Sequence, residues 1–140
     1  MTINCIKITN NKIITFKEQK SSFILNNQKS REVEVHHVDG CVITSGVRCD
    51  FLVIDKQSAR EIYIELKGTD LNHALTQLKE TIVKLTKDPK QIKSALIICT
   101  RSPMSSSQIQ IMQKSILQSH KTRLSVKTSE YRENIEKLIS

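Results

Sequence analysis

Between residues 51 and 85 the hydrophobic pattern changes its period once, and that change does most to limit what the chain can fold into. "CDFLVID" and "EIYIELK" are runs of strand length, and Gly68 closes the second. Past it, Leu71, Leu75, Leu78, Ile82 and Leu85 recur at spacings of three and four, one face of a helix. Thr69 or Asp70 is its N-cap, and the helix ends before Asp88-Pro89. "SALIICT" follows, a continuous apolar run of the kind a strand covered on both faces carries. Strands, a helix and a further buried strand in this order define an α/β chain with a mixed sheet.

The flanking segments extend the pattern. "IKITNNKIITF" reads as strand, Asn-Asn turn and strand, whereas "KEQKSSFILNNQKSRE" is ambiguous and allows a short helix. "VEVHHV", "CVIT" and "CDFLVID" are strand-like, separated by the turn dipeptides Asp39-Gly40 and Ser45-Gly46. "SSSQIQIMQKSILQSH" is a second amphipathic helix carrying Ile109, Met112 and Ile116 on one stripe. "RLSVKT" is a last strand and "SEYRENIEKLIS" a C-terminal helix. No repeat or Pro/Gly-rich linker divides the chain, so residues 1–140 read as one domain with residues 1–30 as an N-terminal extension. The expected order is β-meander, helix, buried strand, helix, strand and helix, with helices on the faces of the sheet.

Composition narrows the partners. Hydrophobic residues make up 38% of the chain, and no run approaches the roughly 18 apolar residues of a spanning helix; no membrane partner is expected. "MTINCIKITN" lacks a signal-peptide core, which makes the cytoplasm the expected location. The formal charge is +8, from 22 Lys and Arg against 14 Asp and Glu, and the excess is concentrated from Lys79 onward. Such a balance suits a polyanion, nucleic acid first. Aromatics are only 4% with no Trp, so contact with it relies on charge rather than base stacking. Cys5, Cys41, Cys49 and Cys99 show no zinc spacing and read as reduced thiols buried in strands. Walker, dinucleotide and G-x-S-x-G motifs are absent.

The chemistry concentrates around Glu65-Leu66-Lys67. If "CDFLVID" and "EIYIELK" form a hairpin through residues 56–59, Phe51 meets Ile64 and Asp50 meets Glu65. Side chains alternate along a strand, so Phe51, Val53, Ile62, Ile64 and Leu66 share one face. Asp50, Leu52, Ile54, Tyr63, Glu65 and Lys67 share the other. Opposed carboxylates about 5 Å apart on a sheet are unfavourable and call for a compensating cation. Oxygen ligands from Asp50 and Glu65, with the Leu66 carbonyl, suit Mg²⁺. Lys67 sits beside that position. The simpler alternative is a solvated strand end with a surface ion pair worth little.

From about Val33 to Cys99, these residues resemble the PD-(D/E)XK nuclease superfamily, which includes restriction endonucleases, Holliday-junction resolvases and many DNA-repair nucleases. The resemblance implies a restriction-endonuclease-like mixed β-sheet of meander, helix and strand, flanked by helices. In it the first acid corresponds to Asp50, the acid-x-Lys to Glu65 and Lys67, and a glutamine on the following helix to Gln77. It implies hydrolysis of DNA, rather than RNA, assisted by Mg²⁺ or Mn²⁺, and a homodimer. Members often carry another acid on a helix before the meander; that helix is not visible here, and Glu18, Glu32 and Glu34 are the candidates. The proline common before the first acid is replaced by Cys49. A non-catalytic nucleic-acid-binding or protein-interaction module on the same scaffold is the competing reading.

Other residues carry weaker signals. His36 and His37 point to opposite strand faces and are expected to be structural or solvated. His73, Lys84 and Arg101 are candidate nucleic-acid contacts. Asp39 reads as the first residue of an Asp-Gly turn, and Arg48 faces away from Asp50. "SPMSSS" opens the second helix and supplies its N-cap.

Overall fold

A computed structural model describes residues 5–18, 20–42, 46, 49–66, 70–101 and 104–140. In chain order the elements are β1 (Ile6–Thr9), β2 (Ile13–Glu18), β3 (Ser21–Asn26), β4 (Val33–His37), β5 (Phe51–Asp55), β6 (Glu61–Glu65), α1 (Leu71–Leu85), β7 (Lys93–Cys99), α2 (Ser106–His120), β8 (Thr122–Thr128), β9 (Glu130–Asn134) and α3 (Ile135–Leu138). A six-stranded sheet runs β1-β4-β5-β6-β7-β8, and a three-stranded sheet runs β2-β3-β9. In the larger sheet β1, β4, β5 and β6 pair antiparallel, while β6, β7 and β8 pair parallel. The fold is a mixed α/β one, and no described helix is long and apolar enough to cross a membrane.

Alternation along β5 and β6 creates two cores. Leu52, Ile54 and Tyr63 face Leu71, Ala74, Leu78 and Ile82 of α1, with Met112 and Ile116 of α2 in the same cluster. Val53, Ile62, Ile64 and Leu66 face the other way, toward Phe16, Phe23 and Leu25 of the smaller sheet and Ile135 and Leu138 of α3. All seven residues of β7 are buried, as its unbroken apolar run requires. Asp70 caps α1, accepting from the His73 amide at 3.1 Å, and Ser105 caps α2 within a reciprocal box with Gln108.

Five expectations are corrected. The Asn-Asn segment does not close a hairpin: β1 pairs with β4, and β2 pairs with β3 in the other sheet. The ambiguous segment after it is strand β3, not a helix, because Phe23 and Leu25 are needed in the core between the sheets. The C-terminal segment forms β9 before a short α3. Its apolar spacing from Tyr131 to Ile135 mimics a helix, yet Tyr131 stacks on Phe23 at 6.0 Å between centroids in a parallel pairing. Helices therefore cover one face of the large sheet, and a second sheet with α3 covers the other. Finally, Cys5 and Cys41 form a disulfide, while Cys49 and Cys99 are free and buried. Pairing of β1 with β4 brings together cysteines that no sequence spacing links.

Candidate functional site

Phe51 stands opposite Ile64, as hairpin counting requires. One residue outward the ladder kinks. The Asp50 amide donates to the Ile64 carbonyl at 3.1 Å, toward β6. Its carbonyl turns the other way, accepting from the amides of Val38 at 2.9 Å and Asp39 at 3.4 Å. A residue in a regular strand sends both groups to the same side, so Asp50 occupies a bulge, a device that re-aims side chains beside working sites. The counting that set Asp50 squarely against Glu65 is corrected by this extra residue. The carboxylate instead reaches along β6, where Oδ2 accepts from the Leu66 amide at 2.9 Å.

Asp50 and Glu65 are nevertheless neighbours in a dry place. They are 4% and 1% exposed, at the sheet end from which α1 and α2 begin. Between the elements lies the Cys49 thiol, pushed well above its ordinary value by burial first, then by the charges of Glu65 and Asp50. That thiol is therefore a neutral spacer, not a nucleophile. Helix α1 fixes the spacer: the Cys49 amide donates to Thr81 Oγ1 at 2.8 Å, and that hydroxyl donates to the Gln77 carbonyl at 2.7 Å. Gln77, half-buried one turn before Thr81, thus lies on the stretch of α1 that anchors the head of β5. Thr81→Val leaves a buried amide without its acceptor and is expected to cost about 1–3 kcal/mol, read as a lowered denaturant midpoint.

The remaining candidates separate clearly. Lys67 lies outside the described residues, as do Gly68, Thr69, Arg48, Ser102, Pro103 and the Ile43–Thr44 end of the expected "CVIT" strand. Glu34 does not join the pair. It stands opposite Ile54, four strand positions from Asp50 or roughly 13 Å along β5, and is held by His36 Nε2 at 3.0 Å. Glu32 is exposed and paired with Lys56 at 3.0 Å. Glu18 ends β2 in the other sheet, opposite Ser21. Glu34 and Glu32 are therefore engaged by other partners. His73 and Arg101 are exposed. Lys84 is exposed too, and its Nζ lies 3.1 Å from where a Cβ on Gly46 would stand, against the segment joining β4 to β5.

Asp39 is what sequence reasoning passed over. The turn is real: the Cys41 amide donates to the Val38 carbonyl at 3.2 Å, and Gly40 has φ +75°, the conformation a Gly at the third turn position supplies. The Asp-Gly dipeptide hid the second role, since its amide also meets the Asp50 carbonyl. Only the cross-strand partner reveals that, and one sequence cannot. Among the described residues, no three His, Cys, Asp or Glu side chains converge as a ready-made metal site.

A second buried polar group occupies the opposite end of β6. Tyr63 donates to Glu61 Oε1 at 2.8 Å, the Lys87 amide to Oε2 at 3.0 Å, and Lys93 Nζ to the Gln91 carbonyl at 2.6 Å. These groups satisfy one another and close the helix–strand connections. No family model matches the chain, and no curated protein or solved structure matches it at a significant level.

Proposed function

We propose that the chain is a metal-dependent nuclease that hydrolyses DNA phosphodiester bonds, on a restriction-endonuclease-like scaffold of the PD-(D/E)XK kind. One observation carries the reading: two carboxylates, Asp50 and Glu65, are both buried around the Cys49 thiol at the end of the sheet where two helices begin. Two desolvated carboxylates at one end of the sheet offer hard oxygen donors to a cation. The succession of antiparallel β4, β5 and β6, then α1, then parallel β7 supports the scaffold, since it is what the resemblance implies.

Two carboxylates fit a hard cation with oxygen ligands, which keeps several waters of its own. Asp50 and Glu65, with the Leu66 carbonyl, are the ligands for Mg²⁺ or Mn²⁺. When bound, the ion supplies Lewis acidity and a more acidic water. The chain's own residues do the rest. The bulge holds the Asp50 carboxylate through the Leu66 amide. Lys67 orients the attacking water and balances charge growing on phosphorus. Gln77 lines the α1 side of the site, while His73, Lys84 and Arg101 bind the phosphate backbone. A homodimer presenting two such sites is part of the proposal.

The purified protein is expected to nick plasmid DNA with Mg²⁺ or Mn²⁺ and to lose all cutting in EDTA. Binding is expected to weaken steeply between 50 and 200 mM salt, by about 10³-fold if six or more phosphates are contacted. Persistent cutting in EDTA overturns the metal reading. Salt-sensitive binding without cutting favours the second reading, a nucleic-acid-binding module; the absence of a ready-made three-ligand cluster among the described residues is its support.

A further inference from the structure

Strand β1 is weakly held by its side chains. It is four residues long, lies at the edge of the large sheet and pairs only with β4. Ile6 and Ile8 are 45% and 55% exposed, so little apolar surface secures it. Cys5, directly before it, is bonded to Cys41, and Cys41 closes the turn whose amides meet Asp50. The links are consecutive. The His37 amide donates to the Cys5 carbonyl at 2.8 Å and the Val42 amide to the His37 carbonyl at 3.1 Å. The Cys41 amide donates to the Val38 carbonyl at 3.2 Å, and Val38 and Asp39 donate to the Asp50 carbonyl.

We propose that the Cys5–Cys41 disulfide is a redox latch on the carboxylate site. Oxidised, it clamps β1 and residues 38–42 into one unit and fixes the Asp50 carbonyl through two amides. Reduced, β1 and the turn loosen together, and Asp50 keeps only its bonds to β6. The latch is a statement about the fold; only its effect on cutting rests on the nuclease reading.

The chemistry is thiol–disulfide exchange with a dithiol reductant. One reductant thiolate attacks a bridge sulfur, breaking the Cys5–Cys41 bond and forming a mixed disulfide. The second reductant thiol displaces the protein sulfur. Two electrons and two protons pass to the protein, leaving Cys5 and Cys41 as thiols and the reductant as a cyclic disulfide. Both bridge cysteines are half-buried and reachable, whereas Cys49 and Cys99 are buried and inert to the same reagent.

The test is amide hydrogen exchange on the full chain, air-oxidised and then treated with dithiothreitol. Thiol counting after denaturation is expected to give two free thiols in the oxidised protein, Cys49 and Cys99, and four after reduction. Reduction is expected to speed exchange at Val38 and Asp39 by about tenfold or more, as local opening requires, with β7 amides unchanged. Cys41→Ser is expected to show the fast rates without reductant and no further change with it. Cys5→Ser serves as the second variant should Cys41→Ser fail to fold. Four free thiols in the air-oxidised protein overturn the latch. So does faster exchange confined to β1, which reduces the bridge to a staple. If cutting occurs, it is expected to fall several-fold on reduction in the wild type only. A protein that never cuts in either state overturns the nuclease reading, while the exchange rates alone decide the latch.

Discussion

Glu65→Gln and Asp50→Asn are each expected to abolish metal-dependent cutting and to lose the stabilisation that added metal gives the wild type. Each variant removes a charged oxygen ligand from a pair that has little redundancy. The loss is expected to reach about 10³-fold, the scale on which removing one charge-stabilising group in a site acts. Addition of Mg²⁺ or Mn²⁺ is expected to raise the wild-type melting temperature with concentration, as binding to the native state must, and to leave both variants unmoved. Variants that cut normally would sink the site. Metal that stabilises the wild type and neither variant is the signature a mere solvated strand end does not give.

The second large effect lies at the far end of the same hairpin. Asp55 is buried and receives a two-pronged contact from Arg31, Nε to Oδ1 at 2.9 Å and Nη2 to Oδ2 at 2.7 Å. The amide and hydroxyl of Ser58 add bonds of 2.9 and 2.6 Å. Burial pushes the Asp55 carboxyl up, but the Arg31 and Ser58 bonds outweigh it, so the group is held below its ordinary value. Asp55→Ala strips the partner from a guanidinium only 20% exposed and leaves the Ser58 amide unpaired. A loss of about 3 kcal/mol is expected. Because the folded value is lowered, the contribution is complete above the unfolded carboxylate value near pH 4 and is lost as pH falls through the folded value. Acid denaturation of Asp55→Asn is therefore expected to lack the part of the wild-type pH slope that lies below about pH 4.

The sequence was most legible where one physical signal dominated. Helix α1 and strand β7 announced themselves by period and by an unbroken apolar run, and the β5–β6 register followed from a short closed turn. The apolar residues of its two faces came out correctly because alternation is a local property. Residues whose placement depends on distant partners were not legible. Tyr131 and Ile135 keep helical spacing, and only Phe23, far away in the chain, turns that segment into a strand. Cys5 and Cys41 look like two more buried thiols until β1 meets β4. At the candidate site, counting set Asp50 against Glu65 and missed the bulge that turns Asp50. A bulge is set by which carbonyl an amide chooses, and residue type does not encode that choice. Asp39 was hidden by serving its obvious purpose as a turn residue as well.

Parallel pairing of β3 with β9 has a consequence for how the chain is made. Asn26 and Asn134 bond across a separation of 108 residues, so the small sheet joins segments made far apart in time. During synthesis Phe23 has Phe16 beside it early but gains Tyr131 only when that residue leaves the ribosome. The hairpin and its helix can form early from local contacts, whereas closure of the second layer bears the entropy cost of a long loop. A nascent chain stopped short of β9 carries α1 packed on one side of the hairpin and a partly open apolar face on the other.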